Sequence, residues 1–108
     1  MALDFETINR IARDFAADVS RKLPVDKVFL FGPCVNGRIR ECKDIDICFF
    51  LKNYKGKRRV DVLAQILNIG EEKYRGAFFK PIIFKTAEIK IENPLIREII
   101  ETGRVLLL

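Results

Sequence analysis

Two short apolar runs separated by a polar connection constrain the fold of this chain most strongly. Residues 27–32 read KVFLFG and residues 44–51 read DIDICFFL, and PCVNGRIRECK at 33–43 joins them. Nearly continuous apolar runs of this length are typical of strands that are covered on both faces. We therefore predict two strands of one sheet, with helices packed on that sheet.

Three helices are predicted around these strands. Apolar residues at helical spacing predict a first helix over 4–23, with Pro24 as its stop. A second helix is predicted over roughly 58–74, with an inward face made of Val60, Leu63, Ile66 and Leu67. Asn93 and Pro94 are predicted to open a final helix that ends at Thr102 before Gly103. Its inward residues are predicted to be Leu95, Ile96, Ile99 and Ile100.

The remaining apolar segments predict two further strands. AFFKPIIF at 77–84 is predicted to be a strand at a sheet edge, because Pro81 cannot donate a ladder hydrogen bond. VLLL at the end of the chain is predicted to be a short closing strand or part of the core. The element order predicts an α/β fold of the α+β type, a small mixed sheet with helices packed on it. With 108 residues, a single domain spanning 1–108 is expected.

Composition narrows the classes of function. The chain contains no histidine, and its three cysteines, Cys34, Cys42 and Cys48, make no CxxC pair, so a zinc site is not expected. The odd number of cysteines favours free thiols over a disulfide framework. Any catalysis would therefore depend on carboxylates and a metal ion. The net charge of +5 favours phosphate-bearing or acidic partners. We predict no membrane span and, from the acidic N-terminal segment, a cytoplasmic location.

Asp44 and Asp46 open the second strand one residue apart. Side chains alternate along a strand, so these two carboxylates are predicted to share one face, with Cα atoms about 6.6 Å apart. Like charges at this distance repel, whereas a cation between them reverses the sign of the interaction. Mg²⁺ takes one or two carboxylates together with phosphate oxygens. The alternative is that the two acids only begin an exposed strand.

Gly32 supplies the other half of a candidate site. It directly follows a buried strand, and a glycine there lets the backbone approach a phosphate closely. A helix starting near Pro33 would direct its N–H groups at an anion. Because adjacent strands lie about 4.8 Å apart, Gly32 is predicted to neighbour the two acids. Phosphoryl and nucleotidyl transfer need this pairing of a metal ion with a phosphate site.

The segment LFGPCVNGRIRECKDIDICFF resembles the motif of minimal nucleotidyltransferases of the DNA polymerase β-like superfamily. That motif is an apolar strand, Gly-Ser, ten residues and Asp-x-Asp, and this chain has Gly32-Pro33, residues 34–43 and Asp44-Ile45-Asp46. The resemblance implies transfer of a nucleoside monophosphate from ATP or another NTP, with Mg²⁺ or Mn²⁺. It assigns nucleotide binding to Gly32, Pro33, Gly37 and Arg38, and catalysis and metal binding to Asp44 and Asp46.

The chain departs from the family pattern at three places. Pro33 replaces the motif serine, and Cys34 and Asn36 replace the usual loop arginines, for which Arg38 or Arg40 would compensate. Full catalytic members place a third carboxylate on the later strand, which here reads FFKPIIF, with Lys80 and Pro81 and no acid. Glu88 lies just beyond this strand and is not expected to reach the metal.

These departures leave an alternative open, a catalytically degenerate partner protein of the antitoxin type that binds a HEPN-type toxin. A homo-oligomer is a further expectation, because a minimal chain leaves the acceptor site to another subunit. A nucleic-acid-binding domain is the weakest alternative, since no motif of that class is present.

Overall fold

A computed structural model of the chain describes residues 4–35, 44–74 and 78–107. Its helices are α1 (Phe5–Ser20), α2 (Arg59–Lys73) and α3 (Pro94–Thr102), with a 3₁₀ helix at Thr86–Lys90. Its strands are β1 (Val25–Phe31), β2 (Ile45–Leu51), β3 (Phe79–Lys85) and β4 (Arg104–Leu107). Each predicted helix and strand is present, with ends shifted by one to a few residues.

The four strands form one mixed sheet in the order β3-β2-β1-β4. β1 is antiparallel to both β2 and β4, whereas β2 and β3 are parallel and joined through α2. A parallel pair needs such a crossover, because a tight turn can only join antiparallel strands. β3 is an edge strand, as Pro81 predicted, and the predicted fold class is confirmed.

Helices cover both faces of the sheet. On the side that we call the first face, α1 and α2 pack over one set of alternating strand residues, including Ile45, Ile47, Phe49 and Leu51 of β2. On the second face, α3 packs over the other set, which includes Phe29, Cys48, Phe50 and Phe84. The alternation of side chains along β2 therefore sends its odd-numbered residues under α1 and α2 and its even-numbered residues toward α3.

Local signals explain the helix starts. The Asp4 carboxylate accepts a hydrogen bond from the Thr7 amide at 2.7 Å, which caps α1. Asn93 caps α3 in the same way through the amides of Leu95 and Ile96, and Pro94 occupies the first turn. The predicted start of the final helix is confirmed. None of the helices in the described ranges is long and apolar enough to cross a membrane.

The predicted inward face of α2 is wrong for two of its residues. Val60 is 60% exposed and Leu67 40% exposed. The buried stripe instead consists of Val62, Ile66, Ile69 and Gly70. The helix thus carries two apolar stripes, the predicted one and the buried one. The buried stripe ends at Gly70. A Cβ on Gly70 would lie 3.5 Å from the Phe15 ring, an ordinary contact distance, so α1 and α2 pack closely at this point.

The predicted inward face of α3 is correct at its centre and wrong at its margins. Ile96 and Ile99 are buried, whereas Leu95 and Ile100 are 43% and 39% exposed. α3 contains only nine residues and lies on the sheet through a narrow stripe. Its flanking apolar side chains therefore stay in contact with solvent.

Candidate active site

A tight turn follows β1 at the predicted phosphate-binding position. Gly32 has a φ of +79°, a left-handed conformation that glycine adopts without steric cost. The Val35 amide donates a hydrogen bond of 3.0 Å to the Gly32 carbonyl, which closes the turn. Pro33 is the second residue of this turn, where its fixed φ is favourable. The described part of the loop is thus a hydrogen-bonded turn.

The carboxylate of Asp46 lies directly on this turn. Asp46 pairs with Phe31, the last residue of β1, so its side chain reaches the residue that follows. A Cβ built on Gly32 would be 2.3 Å from Asp46 Oδ2, well inside contact distance. Only glycine at position 32 therefore leaves room for the carboxylate. The predicted neighbours Gly32 and Asp46 are brought together by the antiparallel register of β1 and β2.

Asp44 stands at the same end of the sheet but outside the strand. β2 begins at Ile45, one residue later than predicted, and Asp44 is exposed just before it. The Sγ atom of Cys34 lies 3.4 Å from the Asp44 backbone carbonyl oxygen, which places Asp44 beside the turn after β1. The negative charge of Asp44 also raises the pKa of the Asp46 carboxyl group. The two acids are therefore close neighbours at this end of the sheet.

The charge balance at Asp46 is unfavourable in the protein alone. Burial is the largest influence and raises the pKa of the Asp46 carboxyl above its ordinary value, and the neighbouring Asp44 carboxylate raises it further. Lys80 acts in the opposite direction. A half-buried carboxylate beside a second carboxylate is an arrangement that a bound cation would relieve.

Lys80 lies beside Asp46 on the neighbouring strand. The parallel register of β2 and β3 pairs Asp46 with Lys80, and residues paired in this way point to the same face. A cation therefore stands beside Asp46, on the strand where the resemblance implies a third acid. Glu88 lies after the far end of β3, where its Oε2 atom accepts a hydrogen bond from the Lys85 amide at 2.6 Å. Glu88 therefore lies beyond the end of β3 that pairs with Leu51, opposite to the end that pairs with Asp46.

The donor set fits a divalent ion that keeps several of its waters. In the described segments no group of three or more histidine, cysteine, aspartate or glutamate side chains is arranged to hold a metal ion. Two carboxylates remain, and Mg²⁺ is commonly held by one or two carboxylates, waters and substrate phosphates. Gly37, Arg38, Arg40 and Asn36, which the sequence placed in the nucleotide-binding loop, lie outside the described residues.

The described cysteines offer no free nucleophile. Cys34 takes part in a disulfide bond, so the expectation of free thiols is wrong for this residue. Cys48 is a free thiol buried in β2. Burial raises the pKa of Cys48 to about 12, although nearby Arg59 opposes the shift. A thiol with this pKa is protonated at neutral pH, so Cys48 serves as a core residue.

Comparison with known proteins gives the family. The family model for polymerase beta nucleotidyltransferases matches residues 14–108. A crystal structure of a protein from Sulfolobus solfataricus, described as a candidate nucleotidyltransferase, superposes with a TM-score of 0.67 at 19% sequence identity. The match covers 94% of this chain and 80% of the Sulfolobus chain, and at this identity it establishes the fold. No curated protein sequence matches significantly. The family match spans most of the chain and includes the Gly32 turn and both aspartates, so the chain belongs to the polymerase beta nucleotidyltransferase family.

Proposed function

We propose that the chain is a metal-dependent nucleotidyltransferase that transfers a nucleoside monophosphate, AMP as the first candidate, from an NTP to an acceptor. The observation that carries the proposal is the contact between the Asp46 carboxylate and the Gly32 turn. This contact places the Asp46 carboxylate, whose charge a cation would stabilise, directly against the Gly32 backbone, which has no side chain. The family match supports the same reaction class.

Asp44 and Asp46 are the residues that would hold the metal ion, Mg²⁺ or Mn²⁺. When bound, such an ion neutralises charge on the transferred phosphoryl group and orients the oxygens of the leaving pyrophosphate. The chain itself presents two carboxylates at the open end of the sheet. The Gly32 turn beside them leaves room for the Asp46 carboxylate against the backbone, because no Cβ stands in the way.

Label transfer tests the proposed reaction. The protein is incubated with Mg²⁺ and each of the four NTPs carrying a labelled α-phosphate, with the protein itself and candidate partner proteins as acceptors. Pyrophosphate release together with label on an acceptor is expected, and Asp44→Asn and Asp46→Asn should abolish both. Asp61→Asn is the matched control, because Asp61 is an exposed acid at the start of α2, beyond the opposite end of β2. Equal activity in all three variants would refute the assignment of the two aspartates.

The stability of Asp46→Asn separates a lost site from a lost fold. The folded protein holds the pKa of Asp46 above its ordinary value of 3.8, so the ionised form opposes folding. Stability linked to this group is full below about pH 4 and declines as pH rises through the raised pKa. At pH 7 Asp46→Asn should therefore be at least as stable as the wild type in urea, while Mn²⁺ binding measured by electron paramagnetic resonance is lost.

A second candidate function keeps the fold without the transfer chemistry. It is supported by Lys80 at the position beside Asp46 and by apolar side chains exposed on and before α3, namely Ile91, Leu95 and Ile100. In this case the chain acts as a binding partner, with a HEPN-type toxin or a second copy of itself as the occupant. Absence of pyrophosphate release with all four NTPs, together with a stable complex in size-exclusion chromatography, would favour this candidate.

A further inference from the structure

Lys80 lies in the candidate site, beside Asp46, but has no role in the transfer reaction as described so far. Two alternate residue pairs between β2 and β3 match by face, because Cys48 and Phe50 share the second face with their partners Ile82 and Phe84. Lys80 precedes Ile82 by two residues and therefore points to the same face as Asp46. Its influence on the pKa of Asp46 agrees with this placement.

The ammonium group of Lys80 is available for a ligand. Lys80 is exposed, and within the described part of the chain it forms no ion pair at 4.0 Å or less. It therefore does not neutralise Asp46 by direct contact, although it lies near enough to act on that carboxylate. An ammonium group has three donors and no acceptor, so it cannot be a metal ligand. The positive charge of Lys80 favours an anionic ligand at this site.

The ligand class follows from the charges that meet at this end of the sheet. A divalent ion held by the two aspartates leaves coordination positions for further oxygen ligands. An anion that takes those positions lies beside Asp46, and adjacent strands are separated by only about 4.8 Å. A lysine side chain spans that distance. A polyphosphate has enough oxygens to contact the metal ion and the ammonium group together.

We propose that Lys80 binds the phosphate chain of the nucleotide beside the metal ion held by Asp44 and Asp46. This inference rests on the proposed function. It adds the Lys80 ammonium group of β3 to the residues of the site. Charge-assisted hydrogen bonds from an ammonium group to phosphate oxygens are among the stronger polar contacts in proteins. Lys80 therefore supports substrate affinity through phosphates, without contributing to recognition of the base.

Two binding measurements on the full chain test the inference. Isothermal titration calorimetry gives the affinity for Mg²⁺-ATP and for Mg²⁺-tripolyphosphate, and electron paramagnetic resonance gives the affinity for Mn²⁺ alone. Lys80→Ala should weaken binding of both phosphate ligands by about 10–100-fold. It should leave Mn²⁺ binding unchanged or slightly tighter, because a cation beside the metal site is removed. Lys80→Arg should retain most of the affinity.

Matched variants make the result specific. Lys52→Ala removes the same charge beyond the opposite end of β2, where Lys52 has no described side-chain partner, and it should change binding less than twofold. Lys80→Glu should weaken ATP binding and tighten Mn²⁺ binding, since it adds a third carboxylate. Equal affinities in Lys80→Ala and Lys52→Ala would overturn the inference. So would a parallel loss of Mn²⁺ binding in Lys80→Ala, which would mean that Lys80 only positions Asp46.

Failure of the proposed function gives a different result. If the wild-type chain binds neither Mn²⁺ nor Mg²⁺-ATP, the metal and nucleotide site is refuted as a whole, and the role of Lys80 is refuted with it. If the wild-type chain binds both and only the lysine variants behave like the control, the proposed site stands and Lys80 has no part in it.

Discussion

The two faces of the sheet are covered to different extents, and the candidate site lies on the less covered one. On the first face, all four odd-numbered residues of β2 are 0–2% exposed under α1 and α2. On the second face, the even-numbered residues Cys48 and Phe50 are fully buried, whereas Asp46 is only half-buried. On the first face, β2 therefore contributes only buried core residues. On the second face, it contributes core residues at Cys48 and Phe50 and a residue of the candidate site at Asp46.

The attachment of the helices differs in the same way. α1 and α2 are tied to each other by the Tyr74 hydroxyl, which donates to the Asp18 carboxylate, and by Lys73 Nζ at 3.7 Å from Asp18 Oδ1. Side-chain hydrogen bonds and ion pairs of α3 in the described residues stay within that helix and its cap. Apolar packing of Ile96 and Ile99 holds α3 on the sheet. Stability is thus concentrated on the first face, which leaves the second face free to carry polar groups.

The largest expected effect comes from breaking the first face. Phe49 is fully buried, and its ring meets that of Phe15 edge-on at 5.7 Å between centroids. Phe49→Ala should lower the free energy of unfolding by about 3–5 kcal/mol, through lost burial and an unfilled cavity. Phe50→Ala, on the second face, should cost less, because the smaller cluster under α3 can collapse more easily. Urea denaturation measures both, with Val60→Ala as the exposed control at about 0.5 kcal/mol or less.

A larger cost for Phe50→Ala than for Phe49→Ala would reverse the comparison. It would mean that α3, despite its nine residues, is the main anchor of the sheet.

The second largest effect is expected from a substitution at Gly32, at the end of the sheet where the candidate site lies. Gly32→Ala forces a left-handed alanine, at about 1–2 kcal/mol, and pushes its Cβ into the Asp46 carboxylate. Mn²⁺ binding should weaken by about 10–100-fold, as for other changes that displace a metal ligand. Gly56→Ala is the control, because Gly56 also has a positive φ of 75° but no atom within 4 Å of its would-be Cβ. Gly56→Ala should therefore lose stability alone. Equal metal affinities in the two variants would separate the Gly32 turn from the metal site.

The strands were predictable from sequence because the signal for them is local. KVFLFG and DIDICFFL are apolar on both faces, and in the structure both faces of β1 and β2 are covered. The proximity of Gly32 and Asp46 followed from two strands that are consecutive in the chain. The faces of α2 were less predictable, since two apolar stripes compete and the buried one ends in Gly70, which has no side chain to mark it.

The position of Lys80 relative to Asp46 could not be predicted from sequence. β2 and β3 are separated by α2, and the register of a parallel pair joined by a crossover depends on how the helix packs. A shift of one residue would place Phe79 or Pro81 beside Asp46 and turn Lys80 to the other face. The sequence showed that β3 carries no acid, but the structure was needed to show which β3 residue lies next to the carboxylate.

The smallest expected effect comes from removing the hydrogen bond between the Tyr74 hydroxyl and the Asp18 carboxylate on the first face. Tyr74→Phe removes the hydroxyl that donates to Asp18 and should cost about 1 kcal/mol at pH 7, because the carboxylate keeps Lys73 and Arg21 nearby. The hydrogen bond from Tyr74 holds the pKa of Asp18 below its ordinary value of 3.8. The stability linked to this carboxylate is therefore full above about pH 4 and declines as pH falls through the lowered pKa. The difference between Tyr74→Phe and the wild type, measured in urea, should shrink below pH 4. The ring contacts of residue 74 with Phe15 and Phe79 are retained in Tyr74→Phe, so a difference that stays constant down to pH 2 would show that the loss does not depend on the charge of Asp18.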